Sequence, residues 1–183
     1  MSVSAARYKI PILISLVIGL ALVALRRETF WFFALMSFLG SIAGVLFLDL
    51  EYIVNSYFID PMSESAVRIK ELIGSKNIKG FISYINDAED TFGEGTVRSI
   101  LFQIILIVFT FYVITTRSWV FVQGMVLSMS ACLLYYQIIE YSRTKTLQRW
   151  FWIYNQTPSR TTYSIYLVII GLALLFQFTL IER

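Results

Sequence analysis

The 183-residue chain contains no histidine, one cysteine and three prolines, and only 15% of its residues are charged. The absence of histidine excludes an imidazole general base, a Ser-His-Asp triad and histidine ligands to zinc or haem. The single cysteine, Cys132, excludes an intramolecular disulfide and a CxxC zinc or redox motif. A soluble domain has about 25% charged residues. The shortage of charge therefore points away from a surface that faces water everywhere.

Apolar residues are in excess instead. They make up 57% of the chain, and its mean hydropathy is +0.70, whereas a soluble domain is about 45–50% apolar. One small core cannot hold this excess, so lipid must be the solvent for much of the chain. We expect an all-α integral membrane protein in which residues 1–183 form a single membrane domain.

Five apolar runs predict a bundle of five transmembrane helices. They cover residues 10–25, 29–48, 99–116, 118–139 and 161–181. The first run measures roughly 24 Å as a helix, against a hydrocarbon core of about 30 Å, so its flanking basic side chains have to snorkel. A cleaved signal peptide is the competing interpretation of this run, but its length and the Arg26-Arg27 pair after it favour a retained anchor. We expect the second helix to continue beyond residue 48 and to protrude from the bilayer.

Basic residues are distributed unequally between the two sides of this bundle. Eleven lie on the side of the N-terminus and of the two long loops, and four lie on the other side. The positive-inside rule then predicts a cytoplasmic N-terminus and a C-terminus on the opposite side. The cell's inner or plasma membrane is favoured, with an organelle membrane as the alternative. The sequon at residues 155–157 would then face the cytoplasm and remain unglycosylated.

The cytoplasmic loop 60–97 is too long to lack secondary structure. Ser63 or Ser65 can cap a helix that runs to Gly74, and a second helix begins near residues 75–77. Both are amphipathic, so they either lie on the membrane or bundle surface or dock to a partner protein. The acidic run at residues 87–94 does not fit an EF-hand loop, and a solvated helix end is favoured over a cation site.

Aromatic residues beside basic ones are typical of a membrane interface. Residues 141–157 form such an interfacial segment between the last two spans. The predicted interfacial anchors are Trp31, Arg149, Trp150, Trp152 and Tyr154. A positional anchor is favoured here over recognition of a specific lipid or partner.

Small residues mark where helices approach closely in a membrane, because lipid gives no hydrophobic reward for association. The second span carries a GxxxG pattern within a stripe of small residues, and small residues of the first span (Ser15 and Gly19), the fourth span and the fifth span offer partners. The predicted packing residues are Ser37, Gly40, Ser41, Gly44, Gly124, Ser128 and Gly171. The pattern predicts close contact and no particular chemistry.

A polar row at heptad spacing runs along the fourth span. It consists of Gln123, Ser130 and Gln137, and Gln103 begins a thinner row on the third span. The amides either form hydrogen bonds between helices or line a path for a solute. No ionisable group lies deep within a span, which argues against proton- or ion-coupled transport.

Catalytic groups are scarce. Asp49 and Glu51 are two residues apart and diverge by about 200° on a helix, and Cys132 sits among apolar residues that make a thiol inert. The leading hypothesis is a non-catalytic structural or accessory subunit, or a scaffold, of a larger membrane assembly. The runner-up is a small channel or transporter with a polar path along the fourth helix, and a membrane-embedded enzyme is third.

The partners expected from this reading are membrane lipids and either a partner membrane protein or further copies of the chain. No cofactor, metal or nucleic-acid partner is expected.

Overall fold

A computed structural model describes residues 3–26, 30–87, 97–152 and 158–181. These ranges consist of seven α-helices, one π-helical turn and the connections between them, and they contain no β-strand. The α-helices are α1 (Val3–Arg26), α2 (Trp31–Val54), α3 (Glu64–Gly74), α4 (Ile78–Asp87), α5 (Ile100–Thr115), α6 (Val120–Thr144) and α7 (Arg160–Ile181). The all-α class predicted from composition and hydropathy is confirmed for the described ranges.

Four helical segments are long and apolar enough to cross a membrane. They are Lys9–Arg26, Trp31–Phe58, Val120–Thr144 and Arg160–Ile181. Each overlaps one of the predicted apolar runs. The remaining run corresponds to α5, which is apolar but has 16 residues and therefore a length of about 24 Å. The structure thus supports a multi-pass membrane protein, while the fifth span stays a prediction.

The second helix continues past residue 48, as its apolar pattern predicts. After Val54 it widens into a π-helical turn, Asn55–Ile59, which closes when the N–H of Asp60 donates to the carbonyl of Asn55 at 2.9 Å. The chain then turns at Pro61. The sequence pattern located this end correctly because proline has no N–H for a further turn.

Helices α3 and α4 fold back against this end of α2. The Ser63 hydroxyl caps α3 by accepting the N–H of Ala66 at 3.2 Å. Ile69 of α3 and Ile85 of α4 are fully buried and pack together with Tyr52. Most of the acidic run at residues 87–94 follows α4 and lies outside the described residues.

Helix α6 is the centre of the bundle, because it packs against α1, α2, α5 and α7. Its buried face holds Val126, Met129 and Leu133, which share the main core with residues of α2 and α5. A turn at Arg117, whose φ is +49°, connects α5 to α6 and makes them antiparallel neighbours. The polar row of α6 is therefore surrounded by other helices.

Candidate functional site

Helices α2 and α6 approach each other closely at two glycines. A Cβ atom added to Gly40 would overlap the backbone carbonyl of Phe121, and one added to Gly44 would overlap that of Met125. Advancing four residues on α2 thus advances four residues on α6, so the two helices run parallel. Backbones approach this closely only where side chains are missing.

Helix α6 contributes its own small residue to the same contact. A Cβ atom on Gly124 would lie 2.7 Å from the carbonyl oxygen of Ser37 and 3.0 Å from the hydroxyl of Ser41. Both serine hydroxyls donate to carbonyls of their own helix. Each hydroxyl therefore keeps a hydrogen bond although it is buried between α2 and α6. Ser128, one turn further along α6, is fully buried.

Gly171 of α7 lies in a different setting. The nearest atom to an added Cβ would be a methyl carbon of Leu134 at 4.0 Å, which is ordinary van der Waals contact. The six other small residues predicted to mediate packing therefore lie on α2 and α6, and Gly171 leaves room for a larger side chain.

The polar row of α6 is buried, and each member contacts a different helix. The amide oxygen of Gln123 accepts a hydrogen bond from the Arg26 guanidinium of α1 at 3.0 Å. The hydroxyl of Ser130 lies 3.4 Å from that of Thr110 on α5. The amide nitrogen of Gln137 donates to a hydroxyl of α7 at 3.1 Å. The row therefore ties α6 to three neighbours, which is what interhelical hydrogen bonds do in membranes.

Gln103, the predicted member of the row on α5, differs from the others. It is fully buried, yet neither its amide oxygen nor its amide nitrogen has a hydrogen-bond partner within the described part of the chain. Leaving a buried polar group without a partner costs about 1–3 kcal/mol. Helix packing alone does not explain this residue.

The start of α5 carries a charged cluster that sequence reasoning missed. The Glu51 carboxylate accepts the backbone N–H of Val97 at 2.7 Å and that of Arg98 at 3.3 Å, and the Arg98 guanidinium lies 3.7 Å away. The same guanidinium lies 5.3 Å from the ring centre of Tyr52 and 5.2 Å from that of Tyr136. We call the end of the bundle that contains Glu51, Arg98 and Tyr136 the Arg98 end.

No local signal identifies this cluster. Glu51 and Arg98 both read as charges near a membrane interface, and 47 positions separate them along the chain. Only the packing of α2 beside the start of α5 brings the carboxylate to the two backbone N–H groups.

The segment between α6 and α7 enters the Arg98 end. Trp150 is 2% exposed, its indole N–H donates to the Glu140 carboxylate at 2.7 Å, and its carbonyl accepts the N–H of Ile100 at 3.0 Å. Phe151 is also buried and meets the ring of Tyr163 edge-on. Trp150 therefore closes the bundle from within.

The other predicted interfacial anchors lie elsewhere. Trp31 is 71% exposed at the start of α2, and Arg149 and Trp152 are exposed beside the buried Trp150. Tyr154 and the sequon at residues 155–157 lie outside the described residues. In this segment Trp150 and Phe151 therefore point inward, whereas Trp152 points outward.

The chemistry available at these contacts is limited. Cys132 is fully buried, and its thiol faces the carbonyl of Pro11 at 3.8 Å. Within the described ranges, no three His, Cys, Asp or Glu residues are grouped so that they could hold a metal ion. No protein-family model, curated protein or solved structure matches this chain.

Proposed function

We propose that this protein is a non-catalytic accessory subunit or scaffold of a larger membrane assembly. The observation that carries the proposal is that the polar row of α6 forms contacts with three other helices. Gln123, Ser130 and Gln137 are buried and each faces a group on another helix. Hydrogen bonds of this kind between helices stabilise a bundle, and the three side chains are buried, so they line no open path across the described part of the bundle.

The proposed topology has five spans. It adds α5 to the four longer apolar segments, because its 16 residues are free of charge. The N-terminus and the Arg98 end then face the cytoplasm, and the C-terminus lies on the opposite side. In this arrangement α3 and α4 form an amphipathic insertion on the cytoplasmic side.

A large apolar surface is left for contact with lipid or protein. The side chains of α5 and α7 that point away from α6 are bulky and exposed. They include Ile104, Ile105, Val108, Ile169, Leu172 and Phe176. Lipid covers such a surface in a monomer, and in an assembly part of it packs against the partner.

Photo-crosslinking from this surface tests the proposal. A benzophenone amino acid placed at Val108 or Leu172, both exposed, should form a covalent adduct of one defined mass with a second polypeptide in the native membrane. The matched control is Leu133, which is fully buried and should form no adduct with another chain. Adducts with lipid or with copies of the same chain alone would contradict the accessory role.

Reconstitution of the purified chain distinguishes the runner-up function. A channel or transporter with a path along α6 should move solute when reconstituted alone in liposomes. It should also lose flux when Gln123 and Gln137 are replaced by leucine. The accessory role predicts no such flux, and solute movement by the isolated chain would favour the channel.

A further inference from the structure

Two buried glutamines near the Arg98 end have amide atoms that the packing of the described helices leaves without a partner. Both amide atoms of Gln103 lack a hydrogen-bond partner among the described residues, and so does the amide oxygen of Gln137. The amide nitrogen of Gln137 donates to the Tyr166 hydroxyl at 3.1 Å. One amide nitrogen and two amide oxygens are thus left without partners, although both glutamine side chains are fully buried away from bulk water.

The helix register places these amides at one level. Thr110 and Ser130 face each other across the antiparallel helices α5 and α6. Gln103 and Gln137 each lie two turns from that contact toward the Arg98 end, a distance of about 10.5 Å along each axis. Gln103 shares the buried face of α5 with Leu106 and Thr110, so it lies on the side that packs against α6.

We propose that Gln103, Gln137 and Tyr166 form a binding site for a small neutral organic group that carries both a donor and an acceptor, namely a hydroxyl or an amide. The leftover amide nitrogen donates to such a group. A primary amide can donate to both leftover oxygens, and a hydroxyl can donate to one of them. A neutral group fits because an ion would need a full opposite charge to offset its desolvation. The Glu51 carboxylate at this end is already engaged by Arg98, and the Glu140 carboxylate, one turn from Gln137 on α6, accepts the indole N–H of Trp150.

The surroundings of the site favour entry from the bilayer. Leu147, Trp150 and Phe151 are buried and close the Arg98 end. Helix α7, which supplies Tyr166, is the least buried of the four long apolar segments. A ligand therefore enters between α7 and its neighbours, as a solute that partitions into the membrane or as the headgroup of a lipid.

Thermal unfolding of the full chain in phosphatidylcholine nanodiscs tests this site. The probes are acetamide and glycerol in solution and monooleoylglycerol in the bilayer. We expect at least one probe to raise the unfolding midpoint by about 3–6 °C at ten times its dissociation constant. A response to acetamide or glycerol identifies a free solute as the source, and a response to monooleoylglycerol identifies a lipid.

Substitutions separate binding from structure. Gln103→Leu should abolish the probe response and should leave the probe-free midpoint unchanged or higher, because it removes an amide without partners. Gln103→Met serves as a second, unbranched variant with the same expected behaviour. Gln148→Leu, at an exposed glutamine outside the bundle, should keep the full response.

Three results would overturn the site. They are the absence of a shift with every probe, a shift that persists in both Gln103 variants, and a lower probe-free midpoint in both variants. The last result would mean that Gln103 makes a direct bond within the protein or holds only buried water. None of these results depends on a partner protein, so the accessory role is tested separately.

Discussion

The Glu51 carboxylate accepts the backbone N–H of Val97 at 2.7 Å, although 46 positions separate the two residues in the chain. This bond ties the end of α2 to the residues that lead into α5. Helix α5 packs mainly on α6 and α7. The bond therefore connects α2 to the part of the bundle that α5, α6 and α7 form. Glu51 therefore holds the residues that precede α5 against α2 at the Arg98 end.

Replacing Glu51 should destabilise the bundle. Glu51→Ala leaves two backbone N–H groups and the Arg98 guanidinium without their carboxylate, and we expect a loss of about 1.5–3 kcal/mol in the free energy of unfolding. The Arg98 side chain is 18% exposed, which screens part of its charge, so we expect the loss to lie in the lower part of this range. Unfolding by SDS titration in mixed micelles measures the difference.

The matched variants separate charge from hydrogen bonding. Glu51→Gln retains an oxygen for the Val97 N–H and should lose less than Glu51→Ala. Glu71→Ala removes the exposed partner of Arg68 and should cost at most about 0.5 kcal/mol. Equal losses for the Ala variants of Glu51 and Glu71 would mean that the Glu51 cluster contributes nothing special.

Alanine should have opposite effects at Gly40, which lies in the contact between α2 and α6, and at Gly171, which lies outside it. Gly40→Ala places a methyl group on the Phe121 carbonyl, so we expect a loss of about 1–3 kcal/mol from overpacking. Gly171→Ala meets nothing closer than 4.0 Å and should be neutral or gain up to about 1 kcal/mol from helix propensity. The unfolding midpoints of the two variants, measured side by side, check this; similar midpoints would refute the close contact.

The two neighbouring tryptophans should also respond differently. Trp150→Ala removes a buried ring and its bond to Glu140, and we expect a loss of about 3–5 kcal/mol. Trp152→Ala, at an exposed position, should cost far less. Trp150→Phe keeps most of the packing and should fall between them. The same unfolding assay ranks all three, and a larger loss at Trp152 would mean that the buried position of Trp150 is wrong.

Much of this fold is readable from the sequence because its signals are local. A long uncharged run requires a helix in lipid, since every backbone group must be satisfied within the segment. Pro61 ends the second helix, and Ser63 caps the next one for reasons that involve only adjacent residues. The heptad spacing of Gln123, Ser130 and Gln137 likewise follows from helix geometry.

The remaining features depend on which helices become neighbours. The bond from Glu51 to Val97 has no sequence signature, because each residue alone resembles an ordinary interface residue. Trp150 and Trp152 share the same basic and aromatic surroundings, so the pattern assigns both to the interface, whereas packing buries the first of them. Gln103 similarly resembles the other amides of the row in the sequence, and only the structure shows that its amide has no hydrogen-bond partner among the described residues.

The five-span topology predicts that the termini lie on opposite sides of the membrane, whereas four spans would place them together. In a Cys132→Ser background, Ser2→Cys and Glu182→Cys provide one thiol each. An impermeant maleimide should label Glu182→Cys in intact cells and should label Ser2→Cys only after permeabilisation. Labelling of both from the same side would contradict five spans, and the reversed pattern would contradict the orientation.

The accessory role is tested most directly by native mass spectrometry of the chain extracted from its own membrane in a mild detergent. The account predicts a complex that contains the 21.1 kDa chain and a second polypeptide in a fixed whole-number ratio. The ratio should persist across independent preparations. A spectrum that contains only the single chain, or only multiples of its mass, would contradict the account.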